Sequence, residues 1–216
     1  MDIILNNTEV RVISALVEKE ITTPEYYPLS LNALTNACNQ KTNREPVVSY
    51  DESTVMEALD TLIEKDLIIV VKGRDSRVTK YDNYLADKLS LSPQEVAVIC
   101  ILMLRGAQTV GEIRTRTERL YDFADLAEVE TTLDGLVVRE DGPFVVKLPR
   151  QPGHKESRYM HLISGEVDIT NLDMAKTISE TNDNPRIAQL EEEVESLRQE
   201  MQELRQQFSE FKQQFE

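Results

Sequence analysis

Glu9-Val10-Arg11-Val12-Ile13-Ser14-Ala15-Leu16 recurs as Glu95-Val96-Ala97-Val98-Ile99-Cys100-Ile101-Leu102, 86 positions further on, with five of the eight residues identical. Self-similarity of this kind is the first property to test in a chain, because it sets the architecture. More blocks follow in the same order. Val55, Leu59, Asp60 and Leu62 lie over Val129, Leu133, Asp134 and Leu136 at an offset of 74. Val71-Lys72 resembles Val146-Lys147, and Lys80-Tyr81 resembles Arg158-Tyr159. Offsets that change only between blocks describe the same elements joined by loops of different length. The chain therefore reads as two copies of one module, 1–86 and 87–164, followed by a polar linker over 165–184 and a terminal helix over 185–216.

Within each copy the order of elements is the same. Helix 1 opens on Asn6 and Glu9 in the first copy and on Ser92, Pro93 and Glu95 in the second, residues whose side chains satisfy orphan backbone donors at a helix start. Helix 2 is expected over about 30–38 and 109–119, with Thr109 and Glu112 as another capping box. Helix 3 starts near Asp51 and Asp125 and carries the apolar stripes Val55, Leu59, Leu62 and Val129, Leu133, Leu136, spaced for one buried face. The period then changes. Leu67–Val71 and Phe144–Val146 are short β-rich runs, each followed by a polar turn and a second strand-like run. Three helices followed by a hairpin is the winged-helix order, a variant of helix-turn-helix. The expected fold is mainly α with small β-hairpins (α+β): two tandem winged-helix domains plus a C-terminal coiled-coil helix.

One stretch is unusual for such a module. Thr22-Thr23-Pro24-Glu25-Tyr26-Tyr27-Pro28-Leu29-Ser30-Leu31-Asn32-Ala33-Leu34, continuing through Cys38-Asn39-Gln40-Lys41-Thr42-Asn43-Arg44-Glu45-Pro46-Val47, resembles the signature of the YceH-like family, an uncharacterised bacterial family of tandem winged-helix proteins. The resemblance covers about 5–165. It implies the fold, and it implies no activity and no site residues.

In the tail, Ile187, Leu190, Val194, Leu197, Met201, Leu204, Phe208, Phe211 and Phe215 alternate three and four residues apart, the signature of a coiled coil, with Asn184 and Pro185 at its start. With Ile187 at position a, Glu193 and Glu200 take g and Arg198 and Arg205 take e. A parallel, in-register pair sets those charges against each other favourably, so a parallel homodimer is expected through Ile187, Leu190, Val194, Leu197, Met201, Leu204, Phe208 and Phe211. The other reading is that the stripe folds back on the chain's own globular part.

Chemistry is narrowly bounded. The 216 residues hold 2 His, 2 Cys and 7 Gly, with no phosphate loop, nucleophile elbow or paired metal-ligand spacing. No catalytic residue, cofactor or metal is expected, and the protein is read as non-enzymatic. Cys38 and Cys100 read as free buried thiols. The longest apolar run, Val96–Leu104, is nine residues, far short of the ~20 of a spanning helix. No basic patch precedes an apolar stretch at the start, so a cytoplasmic location with no membrane partner is expected.

The charges qualify the DNA-binding reading that a winged helix invites. The net charge is -15, and residues 1–86 and 87–164 carry 9 basic against 14 acidic and 10 against 12. Neither copy is basic, whereas phosphate neutralisation dominates nucleic-acid affinity. Helix 3, the element that enters the major groove in such folds, turns Glu57, Asp60, Thr61 and Glu64 outward in the first copy and Glu130, Thr131 and Asp134 in the second. Cations gather elsewhere. Lys72, Arg74, Arg77 and Lys80 lie in the first hairpin, Lys147, Arg150, Lys155 and Arg158 in the second with His154 at its tip. Arg114, Arg116 and Arg119 lie on the second helix 2, and Lys41 and Arg44 in a polar turn. These groups are open to three readings: phosphate contacts that do not read bases, docking on an acidic protein surface, or ordinary solvated charge. Tyr26, Tyr27 and Pro28 either pin their loop to the core or form an aromatic contact patch. Asn39–Arg44 either holds an anion or satisfies its own turn. The leading expectation is an adaptor that binds a protein partner; the alternative is a DNA-binding regulator using basic wings.

Overall fold

The computed structural model describes residues 3–72, 78–150 and 156–165. Seven α-helices and five short strands lie among them, so the chain is mainly α with small antiparallel β-pairs. Helix α1 (Asn7–Thr22), α2 (Leu31–Cys38) and α3 (Glu52–Glu64) precede strands β2 (Ile68–Val71) and β3 (Lys80–Asn83), and a two-residue strand β1 (Leu29–Ser30) comes just before α2. A one-turn helix α4 (Leu85–Lys88) leads into α5 (Pro93–Arg105), α6 (Val110–Thr117) and α7 (Leu126–Val138), followed by β4 (Val145–Lys147) and β5 (Tyr159–His161).

Local chemistry starts these helices where the sequence places the caps. The Asn6 side chain accepts from the Glu9 N–H while the Glu9 carboxylate accepts from the Asn6 N–H, both within 2.9 Å, and Ser92 with Glu95 and Thr109 with Glu112 repeat the device. Asp51 and Asp125 cap α3 and α7 through the N–H three residues on. Each reciprocal box satisfies two orphan donors. Asn6→Ala is expected to cost about 1 kcal/mol, seen as a lower urea midpoint with unchanged slope. A larger loss would mean that Asn6 also holds a tertiary contact.

The two halves reproduce each other to the level of single hydrogen bonds. Leu67 N–H donates to Leu62 O and Tyr84 N–H to Leu67 O; in the second half Phe144 N–H donates to Leu136 O and Leu162 N–H to Phe144 O. Leu29 pairs with Tyr81 in the sheet ordered β1-β3-β2, and Gln108 pairs with Tyr159 in the same place beside β4-β5. The register corrects one equivalence drawn from sequence. Val70 lies opposite Tyr81 and Lys147 opposite Tyr159. Lys147 thus matches Val70 rather than Lys72, a two-residue slip that only the strand pairing reveals, since both runs are short and β-rich.

One core serves both halves. Residues 9–18 of α1 and 96–104 of α5 are buried all round, because these two helices pack against each other as well as against the rest of their own halves. The unbroken apolar run of α5 therefore marks a central helix, not an amphipathic surface one. The junction drawn at 86/87 falls inside α4, with no break in the core there. Leu5 N–H donates to Ile163 O, tying the start of the first half to the end of the second, and Glu45 N–H donates to Leu104 O. All described residues belong to one compact unit. The expected coiled-coil positions, from Ile187 to Phe215, and the linker beyond 165 lie outside the described residues.

Candidate interaction surfaces

On α3, the side chains of Val55, Leu59 and Leu62 are buried, so the helix leaves Glu57, Asp60, Thr61 and Glu64 exposed. On α7, Val129, Leu133 and Leu136 are buried and Glu130, Thr131 and Asp134 exposed. The face of each third helix that points to solvent is thus acidic, as the i, i+4, i+7 stripes require. Asp60 acts on Tyr81 across the sheet rim. Burial first, then that carboxylate, raises the phenol above its ordinary range, and the Tyr81 hydroxyl lies 3.7 Å from Met56 Sδ.

The cations divide into those used inside the fold and those that face outward. Arg44 is a correction: it makes no surface contact, because its side chain is fully buried. Its Nη1 donates to Glu18 Oε1 at 3.0 Å and its Nη2 to Glu18 Oε2, while Nε and Nη2 donate to Ala37 O. Burial alone would raise the Glu18 carboxyl, but the bonds and charge of Arg44 hold it below its ordinary range. Arg116 is half-buried, donating to Gln108 Oε1 at 2.7 Å and pairing with Glu112 at 3.0 Å. The Arg114 guanidinium is exposed and spends one donor on Ala124 O. The Lys147 ammonium sits 5.4 Å from the Tyr159 ring centroid, and contact with Tyr159, then Asp134 and Glu130, raises its pKa. Its charge is thus partly answered by the acidic face of α7. Lys80 and Arg158, at matching places before the two tyrosines, are half-buried, whereas Lys41, Lys72, Arg119 and Arg150 are exposed. Arg74, Arg77, His154 and Lys155 lie outside the described residues.

Sequence reasoning passed over three arginines. Arg11 is buried and donates to Cys38 O and Pro46 O, holding the 39–50 loop to α1. Arg139 pairs with Glu95 and with Asp141, reproducing after α7 the Lys65–Glu9 pair that follows α3. Arg105 donates to Asn43 Oδ1 from the end of α5. Only the recurrence in both halves of an acid at N3 of the first helix and a base after the third could have flagged the Lys65 and Arg139 pairs. The donor-dense stretch 39–44 resolves toward self-satisfaction: Asn39 and Tyr50 exchange two hydrogen bonds, and Asn43 and Arg44 bind within the fold. Tyr27 pins its loop, its hydroxyl accepting from Asn83 N–H and Nδ2, while Tyr26 stands 72% exposed. Cys38 and Cys100 are free and buried; burial pushes the Cys38 thiol up to about 12 and Cys100 upward as well.

Among the described residues, no group of three or more His, Cys, Asp or Glu could hold a metal ion, and no helix is long and apolar enough to cross a membrane. Comparison with known proteins supplies the kinship. The family described as "Protein of unknown function, DUF480" matches residues 5–154. The chain belongs to this family. Family relatives include the UPF0502 protein of Vibrio campbellii, 54% identical over 198 residues, which span 90% of this chain and 91% of that protein. A UPF0502 protein of Klebsiella pneumoniae is 52% identical over 193 residues, 86% and 89% of the two chains. The UPF0502 protein YceH of Salmonella paratyphi B is 50% identical over 195 residues, 88% and 91%. The YceH-like resemblance carried by the 22–47 stretch is thereby shown.

Proposed function

We propose that this family member is a non-enzymatic tandem winged-helix protein, dimeric through a parallel C-terminal coiled coil, that works as a protein-interaction adaptor. The winged-helix reading is supported by the repeated order of three helices and an antiparallel strand pair. The coil is supported by the heptads from Ile187 to Phe211. One observation carries the adaptor reading: the exposed faces of α3 and α7 present Glu57, Asp60 and Glu64, and Glu130 and Asp134, where a groove-reading winged helix needs neutral or basic donors. Carboxylates there repel a polyanion and suit a basic protein surface.

Fluorescence anisotropy of labelled duplex DNA, titrated with the full chain at about 50 and 200 mM salt, tests this reading, since phosphate contacts weaken steeply over that range. No binding at the lower salt is expected. Micromolar binding that collapses at the higher salt would replace the adaptor with the DNA-binding regulator, working through the exposed Lys72 and Arg150 and the basic residues Arg74, Arg77 and Lys155 that lie near them in sequence.

A further inference from the structure

Among the described residues, the sheet of the first half ends on an open strand: in the order β1-β3-β2, strand β2 pairs only with β3. The Tyr84 N–H to Leu67 O bond fixes which residues of β2 face inward. Leu67, Ile69 and Val71 turn their backbone groups toward β3, so Ile68 and Val70 turn theirs to the free edge, following the alternation of an antiparallel pair. Among the described residues nothing hydrogen-bonds those outward groups. The side chains add to the opening, with Ile69 48% and Val70 38% exposed. Four consecutive β-branched residues with no charge are what a protein avoids on a solvent-facing edge.

The second half shows the usual protection. Lys147 occupies the place of Val70, opposite the equivalent tyrosine, and its ammonium covers the Tyr159 ring. Lysine on an edge strand is a common device against strand addition. The first half lacks it.

We propose that β2 is a docking edge for a second copy of this chain, paired antiparallel about a two-fold axis at Ile69, so that Ile68 of each copy meets Val70 of the other. Charge complementarity picks this occupant. The strand is acidic before its start, where Glu64 and Asp66 are exposed, and basic after its end, where Lys72 is exposed. Asp66 is already bonded to Lys88 at 3.3 Å on the rim. Antiparallel self-pairing brings Lys72 of each copy to the Asp66 end of the other, with the apolar Ile68–Val71 segments between. An isologous contact needs such self-complementarity. In this register Ile68 and Val70 form the hydrogen-bonded pairs. The two Ile69 residues form a non-hydrogen-bonded pair, in which Cα atoms come within about 4.5 Å, inside disulfide range. The contact goes beyond the coiled coil of the proposed function and does not depend on it.

The test is oxidative cross-linking of the full chain carrying Ile69→Cys, run on a non-reducing gel, with Val146→Cys at the matching place on β4 as control. The native Cys38 and Cys100 are buried and take no part. Ile69→Cys is expected to give mostly linked dimer and Val146→Cys almost none. Adding Val70→Pro removes an outward N–H but no β3 ladder bond, so it should cut the link at least tenfold while leaving the helical circular dichroism intact. Equal linking of both cysteine variants, or linking that Val70→Pro leaves unchanged, overturns the proposal. Light scattering on the unmodified chain separates the two readings. A dimer mass without the Ile69→Cys link refutes the edge and leaves the coil standing; a monomer mass without the link refutes both.

Discussion

Glu18→Ala will destabilise the fold by about 3–5 kcal/mol, the cost of leaving a buried guanidinium without its carboxylate. The Arg44 side chain has no solvent exposure and Glu18 only 12%, so water cannot replace the lost partner. What would remain to Arg44 is the Ala37 and Asn43 carbonyls, dipoles too weak to balance a desolvated cation. The loss would reach both halves, because the same 39–50 loop donates Glu45 N–H to Leu104 O of α5 and accepts Arg105 at Asn43. Urea unfolding followed by circular dichroism at pH 7 measures it. Converting both partners, Glu18→Leu with Arg44→Met, should recover at least half, since a buried pair exchanged whole for apolar side chains costs little. A single-variant loss below about 1 kcal/mol would show the pair to be solvated, as exposed pairs are worth no more than that. Acid should act on the same bond. The Glu18 carboxyl is held below its ordinary range in the fold, so its contribution is complete above the unfolded value and fades as pH falls below it.

Stability will also fall by up to about 3 kcal/mol between pH 6.5 and 4, and His161→Gln will remove most of that fall. His161 is 6% exposed in β5, its Nδ1 has no hydrogen-bond partner among the described residues, and burial lowers its pKa from 6.5 to about 4. The sign follows from proton binding. Between those two values the unfolded chain binds a proton that the folded chain refuses, so stability is full above 6.5 and drains as pH drops. The window lies mostly above the range in which Glu9, Glu18 and Glu112, all lowered in the fold, begin to lose their partners. Urea midpoints at pH 7 and pH 5 for the two chains check it. Equal pH dependence with and without the imidazole would place the proton uptake elsewhere.

Much of the architecture is legible before any coordinates, because it is written in short-range terms. Asn6 with Glu9, Ser92 with Glu95 and Thr109 with Glu112 act across three residues, a distance at which sequence is geometry. The stripes Val55, Leu59, Leu62 and Val129, Leu133, Leu136 settle which faces of α3 and α7 are buried, and therefore that their outer faces are acidic. Belonging to the DUF480 family was legible too, in the 22–47 stretch. The surfaces were harder. A cation in a polar turn looks the same whether it meets solvent or a carboxylate 26 positions away, and Arg44 was misplaced for that reason. The Lys72 and Lys147 equivalence failed similarly: composition matches them, while cross-strand register separates them.

The sequence by itself determined the duplication, the helix starts, the buried stripes and the charge of each third helix, all of which rest on spacings within a turn or two of chain. Only the tertiary structure decided that α1 and α5 join the copies in one core, that Arg44 and Arg11 are internal, and that β2 is, among the described residues, the outermost strand of its sheet, with Val70 where β4 has Lys147. Those outcomes depend on which distant residues share a small volume and which strand lies outermost. A chain records the local preferences that make each element, but the partner that buries a charge or completes a sheet is set by packing.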